Sequence, residues 1–338
     1  MASSLPETQK AILFNTTTKD TLSLTKTAPI PSSPSEHLIK VHSTAITNGE
    51  LTWAPFVHWP TLHVPCYDVS GTILSSVLGS KFKVGDRVFG RVEAGREGTA
   101  RQYATILPSE ASLVPAGLGM RDAAGVPMSA LTAWQGLFEQ GQLSLAPFVN
   151  GAGEVENSDA AKGKKVLVLG ASGGVGIFAV QLAKLSGAWV AGTASSRNQD
   201  FLEELGIDEF IDYTKTSVEN WINGEEGRRF DLVLDCVGGA SMLDGWSAVK
   251  SHTGVYISIA PGFREPEGGK PEGVRSKWFV MDSRGEELEG IGKFITKGLV
   301  KTCVDSVWKL EEYKEAFAKT ASGHARGKVV LKIAADEE

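Results

Sequence analysis

The chain has 338 residues, enough for about two domains at ~150 residues each. Hydrophobic residues make up 42% and charged residues 22%, a balance that supports a buried core and argues against a disordered chain. The formal net charge of −6, with no basic block, argues against nucleic acid or an anionic membrane as a partner.

Cys66, Cys236 and Cys303 are too few and too far apart for a disulfide framework or a zinc ribbon. A reduced, cytoplasmic setting is the expectation. MASSLPETQK has no apolar core and does not read as a signal peptide. No run of about 18 apolar residues offers a membrane span. The sequon at Asn15-Thr16-Thr17 is therefore expected to stay unused.

Along the first 128 residues, short β-branched segments at 11–14, 37–46, 69–77 and 86–92 alternate with Pro and Gly, as in a small barrel or sandwich. Beyond residue 128 the texture changes. Lys165–Leu169, Trp189–Ala194, Asp231–Val237 and Gly254–Ala260 are continuous apolar runs, the pattern of strands buried on both faces. Helical patterns lie between them, at Val175–Ser186 before Gly187, at Asn198–Leu205 before Gly206, and through Met242, Leu243, Trp246 and Val249. Strand alternating with helix predicts an α/β, doubly wound parallel sheet. The tail from about 285 reads helix, strand, helix, strand. The polar, Gly-rich stretch Ser144–Lys164 is long for a loop and is expected to be mobile.

Gly170-Ala-Ser172-Gly173-Gly174-Val175-Gly176 follows the first apolar run and opens a helix. That order suits a pyrophosphate: glycines allow a tight turn and close approach, and the helix N-terminus supplies unpaired N–H groups. The next strand ends in Ser195-Ser196-Arg197 without the carboxylate that bonds a ribose 2′-OH. Arg197 can neutralise a 2′-phosphate and the two hydroxyls can donate to it, so NADPH is expected over NADH. A plain helix cap at Ser196 is the competing interpretation.

AITNGELTW (45–53), VPCYDVSG (64–71), VGDRVFG (84–90), SALTAW (129–134), the loop 170–176, DLVLDCVGG (231–239) and SGHARGKVVL (322–331) together resemble the medium-chain dehydrogenase/reductase superfamily, in its quinone oxidoreductase and NADPH-dependent ene-reductase branch. The resemblance implies a GroES-like catalytic domain at 1–128, a Rossmann NADP(H)-binding domain at 129–276, and a segment at 277–338 returning to the catalytic domain, with the active site between domains. It implies Asn48 and Thr132 beside the nicotinamide. Tyr213 and Arg197 would lie by the adenosine phosphate, Cys236, Val237, Gly238, Ser258 and Ile259 along the cofactor, with Arg326 and Lys328 reaching it from the tail. Zinc-dependent members place a Cys ligand near Thr47–Asn48 and Gly-His-Glu near Cys66-Tyr67-Asp68. Neither set is present here, so no metal is expected and Cys66 reads as a small buried residue.

Without a Lewis acid, acceptors that are already polarised remain accessible, namely quinones, enones and 2-alkenals. Asn48, Tyr67 and the backbone at 258–261 are candidate oxyanion donors, although Tyr67 reads equally as a core residue and Asp68 as structural. Trp53, Phe56 and Trp59 suit a flat, apolar electrophilic substrate or else pack on the barrel. His58 and His63 read as ordinary loop residues. Two further readings stay open, a trans-enoyl reductase of polyketide-type biosynthesis and a non-catalytic NADPH-binding sensor or structural protein. The expected assembly is a monomer or homodimer.

Overall fold

The computed structural model describes residues 5–18 and 21–334. The first four residues of the N-terminal stretch weighed as a leader lie outside this range. Among the described residues, no helix is long and apolar enough to cross a membrane.

The described residues divide into two units, one within 1–128, 282–296 and 302–338, the other of 129–281 and 297–301. The first unit is β-rich. Its larger sheet runs Val304–Lys309, Lys328–Lys332, His37–Ile46, Asp68–Ser75, Arg87–Arg91, Ala111–Leu113, with Tyr103–Ile106 also on His37–Ile46. Its inward-facing side chains, Ile39, Val41, Val69, Ile73, Val88 and Ile106, are buried together. The tail strand Lys328–Lys332 enters this sheet antiparallel to His37–Ile46, with Val329 opposite Ile46. A smaller sheet joins Thr21–Pro29, Thr8–Asn15 and Leu62–His63.

The second unit is built on a parallel sheet in the order Glu209–Asp212, Trp189–Ala194, Lys165–Leu169, Leu232–Asp235, Val255–Ser258, Arg275–Trp278. Its central strands are buried on both faces, which is why they read as unbroken apolar runs. Numbered within the unit, the order is 3-2-1-4-5-6, the doubly wound arrangement whose ligand site lies at the carboxyl ends of strands 1 and 4. The last strand, Arg275–Trp278, pairs parallel with Val255–Ser258, so this unit extends beyond residue 276.

Two local expectations need correction. Ser144–Lys164 carries its own hairpin, Phe148–Val149 against Val155–Glu156. The Asn150 carboxamide closes it, accepting from the Ala152 and Glu154 amides and donating to Glu156. The stretch is thus in part a closed hairpin and not a bare loop. The helix through Met242 ends at Gly245 and continues as a 3-10 turn to Ala248; Val249 is extended, because the chain there reaches Phe230 in a bridge.

Candidate functional site

In the second unit the turn after Lys165–Leu169 is built as the sequence requires. Gly170 has φ +78 and Gly173 caps the helix Gly174–Leu185. The turn is tied to the neighbouring strand, since Gly170 N–H donates to Thr193 Oγ1 at 3.0 Å and Ala171 N–H to Thr193 O at 2.9 Å. A Cβ at Gly176 would lie 2.2 Å from Gly170 O, so only glycine lets the helix start this close to the turn. The first-turn amides lack intrahelical acceptors and Ser172 lies beside them, with its Oγ accepting from Asn198 Nδ2 at 3.1 Å. This cradle fits a dinucleotide phosphate.

The ends of the adjoining strands are organised by buried Asp235. Its Oδ1 accepts from the Val237 and Gly238 amides at 3.0 and 2.9 Å, and its Oδ2 from Ser258 Oγ at 2.7 Å. Gly170 and Val237 face each other, since a Cβ on Gly170 would meet Val237 Cγ2 at 2.6 Å. The loop 170–176 and Cys236, Val237, Gly238, Ser258 and Ile259 therefore gather at the carboxyl ends of the central strands. Thr132 is buried on the helix Pro127–Trp134.

The second strand ends without a carboxylate of its own, and the neighbouring strand brings one beside it. Parallel register sets Ala194 beside Asp212, and Ser196 Oγ donates to Asp212 Oδ2. Hydrogen bonds from Ser196 and Thr214 hold the Asp212 carboxyl well below its usual range. The Ser196 hydroxyl, expected as a phosphate donor, thus has Asp212 as its acceptor. Arg197 is exposed on the 3-10 turn Ser196–Asn198, and Tyr213, 61% exposed, follows Asp212 directly.

In the first unit, Glu50, Cys66, Asp68 and Lys328 form a buried polar cluster with half-buried Thr47 beside it. The Lys328 ammonium lies 3.1 Å from Asp68 Oδ2 and donates to Thr47 Oγ1 at 3.0 Å. It is turned into the fold, because a fully buried carboxylate requires a counter-charge. The ammonium expected at the cofactor thus meets Asp68 and Thr47. Glu50, absent from the sequence reading, is 1% exposed and accepts from the Thr47 amide at 3.0 Å and the Cys66 amide at 3.1 Å. Burial pushes its carboxyl up to about 7 against those hydrogen bonds and Lys328. Cys66 is buried with φ +65, and burial beside Glu50 raises its thiol far above the usual range. Asn48 is exposed on the same segment. Arg326 comes just before Lys328, and its backbone N–H donates to Asp305 Oδ1 at 2.8 Å.

Tyr67 is a core residue. It is wholly buried, its hydroxyl meets His63 Nε2 at 2.8 Å, and Trp53 stacks on it with centroids 5.6 Å apart. Burial raises its phenol above the ordinary value. His63, read as an ordinary loop residue, is buried and stacked on Trp59 at 4.2 Å. The aromatic trio splits accordingly: Trp59 is buried with Nε1 donating to Ala94 O at 2.6 Å, Trp53 is half-buried, and Phe56 is 79% exposed.

A zinc ion would need three or four side-chain donors around it. Among the described residues no three His, Cys, Asp or Glu side chains lie together as a metal site, and the Asp68 carboxylate already has an ammonium on it. The donor set does not fit a bound zinc.

Comparison with known proteins agrees with this architecture. A family profile described as zinc-binding dehydrogenase matches residues 205–331. The chain is 38% identical to a probable mitochondrial zinc-binding oxidoreductase of Arthroderma benhamiae, over 98% of each chain. It is 30% identical to the mitochondrial NAD(P)H oxidoreductase RTN4IP1 of Danio rerio, over 94% of this chain and 89% of that one. The structure of the quinone oxidoreductase from Coxiella burnetii superposes with a TM-score of 0.80 at 26% identity, covering 97% of this chain and all of that one. The chain belongs to the medium-chain dehydrogenase/reductase superfamily and is quinone oxidoreductase-like.

Proposed function

We propose that the protein is an NADPH-dependent oxidoreductase that delivers hydride to a quinone or an α,β-unsaturated carbonyl without zinc. The observation that carries this reading is the glycine turn Gly170–Gly176 beside the Asp235-organised strand ends, a cradle shaped for a dinucleotide. The names of the relatives, an NAD(P)H oxidoreductase and a quinone oxidoreductase, support the same chemistry.

A nicotinamide cofactor supplies the hydride. The helix N-terminus at Gly174 holds the diphosphate and Arg197 neutralises a 2′-phosphate. With Lys328 on Asp68 and no fitting zinc donors among the described residues, the acceptor must carry its own electron sink, as quinones and enones do. Asn48 is the side-chain amide proposed to donate to the developing oxyanion. Phe56 and Trp53 offer apolar surface for a flat acceptor.

The test is NADPH oxidation with a panel of quinones, 2-alkenals, enoyl thioesters and simple alcohols, before and after chelator treatment. Turnover of at least one quinone or unsaturated carbonyl, insensitive to chelator and with little alcohol oxidation, is the expected result. Tight NADPH binding with no turnover of any acceptor would leave a nucleotide-binding sensor as the better account. Loss of turnover on chelation would sink the zinc-independent reading.

A further inference from the structure

We propose that Lys328 is a positioning residue, a built-in cation that fixes the segment carrying Asn48 and brings to Asp68 the charge a metal ion would otherwise supply. The contacts close on themselves. Lys328 Nζ meets Asp68 Oδ2 at 3.1 Å and Thr47 Oγ1 at 3.0 Å; Thr47 Oγ1 in turn donates to Met128 Sδ at 3.1 Å, and the Met128 amide donates to Asp68 Oδ1 at 2.7 Å. Thr47 is therefore held through its side chain by this circuit and through its amide by Glu50 Oε2, which leaves the adjacent Asn48 little freedom.

The charge balance points the same way. Asp68 and Glu50 are two buried carboxylates in one cluster. Arg91, the other cation near Asp68, is engaged elsewhere, with Glu93 at 2.8 Å and Ser283 at 3.0 Å. Lys328 is then the cation that offsets the cost of burying Asp68. Its approach is close-fitting, since Gly327 precedes it with φ +80 and a Cβ there would lie 2.2 Å from Cys303 O. In this member of a family described as zinc-binding, a protein cation stands on Asp68, and the described residues offer no metal cluster.

The catalytic consequence rests on the zinc-independent reading above, whereas the stability and binding consequences do not. Lys328→Met leaves Asp68 buried without a counter-charge, and its Tm should fall by about 10 °C. The double variant Asp68→Asn/Lys328→Met removes both charges and should recover at least about half of that loss. NADPH affinity, measured by fluorescence titration, should change by no more than about twofold in either variant. For the acceptor reaction, kcat should fall about tenfold or more with KM for NADPH unchanged, the pattern of a displaced reacting group. In Lys328→Ala, added n-propylammonium should raise both Tm and kcat at concentrations that leave the parent protein unaffected. A tenfold loss of NADPH affinity with kcat retained would make Lys328 a cofactor ligand and overturn the proposal. Equal instability of the single and double variants, or no response to the amine, would do the same. A parent protein that reduces no acceptor sinks the preceding section, while Tm, NADPH affinity and amine rescue of Tm still decide this one.

Discussion

The backbone N–H of Cys66 donates to Glu50 Oε1 at 3.1 Å, binding a left-handed cysteine to a carboxylate that is itself buried. Burial pushes Glu50 up to about 7 from an ordinary value of 4.5. A raised carboxyl makes the folded state bind its proton more tightly than the unfolded state. Its contribution is fully present below pH 4.5 and is lost as pH rises through about 7. The loss amounts to roughly 3 kcal/mol. Denaturant unfolding at pH 5.5 and 7.5 should show the parent protein weakening with pH more steeply than Glu50→Gln. The variant is itself weaker at low pH, because a carboxamide can accept from only one of the two amides through its oxygen. Parallel pH dependences would remove Glu50 as the titrating group.

Gly176→Ala tests the phosphate cradle. The added methyl would stand 2.2 Å from Gly170 O and 2.7 Å from Ala171 Cα, both backbone, so the turn itself must move. A destabilisation of about 1–3 kcal/mol is expected from overpacking alone. NADPH affinity should drop about tenfold or more, because the amides lose their common aim. Isothermal titration alongside chemical denaturation separates the two, and unchanged affinity would mean the loop does not hold the nucleotide.

Arg197 and Asp212 should pull in opposite directions on cofactor choice. Arg197→Ala is expected to weaken NADPH by about 1–3 kcal/mol, the worth of a charge-assisted contact, and to leave NADH nearly unchanged. Asp212→Asn removes a negative charge bonded to Ser196 and should shift the NADPH-to-NADH affinity ratio several-fold toward NADPH. Paired dissociation constants for both nucleotides are the measurement; equal changes for the two cofactors would show that neither residue reads the phosphate.

Tyr67→Phe separates a core tyrosine from a catalytic one. The substitution keeps the stack with Trp53 and deletes the hydroxyl that meets His63. Stability should fall by about 1–3 kcal/mol because a buried imidazole nitrogen loses its partner. Turnover should stay within about threefold; a loss near the 10²-fold expected of a general acid would restore the catalytic role.

The glycine turn was legible because its chemistry demands a fixed order of strand, glycines and helix, and that order is local. The doubly wound sheet was legible because strands buried on both faces leave unbroken apolar runs. Thr21–Pro29 and Arg275–Trp278 escaped notice because both are half-exposed edge strands whose polar side chains break the pattern. Asp212 reached the end of the second strand through parallel register with Ala194, a pairing that no local spacing announces. Glu50 escaped for a similar reason. A carboxylate clamped between two amides, one of them far along the chain, has no sequence signature until the fold brings Cys66 to it.

The late strand Lys328–Lys332 sets an order of events during synthesis. The parallel sheet of the second unit is complete once the chain has emerged to Trp278. Positions 43–46 of the strand His37–Ile46, made far earlier, have no partner on that edge until Val329–Lys332 arrives. Until then Asp68 also lacks the ammonium that sits on it in the finished protein. The β-rich unit begun first is therefore the one finished last. Ribosome-bound chains stalled at residue 327, which leaves Trp278 clear of the ribosome and Lys328 not yet added, should resist protease across 165–278 and be cut within 37–75.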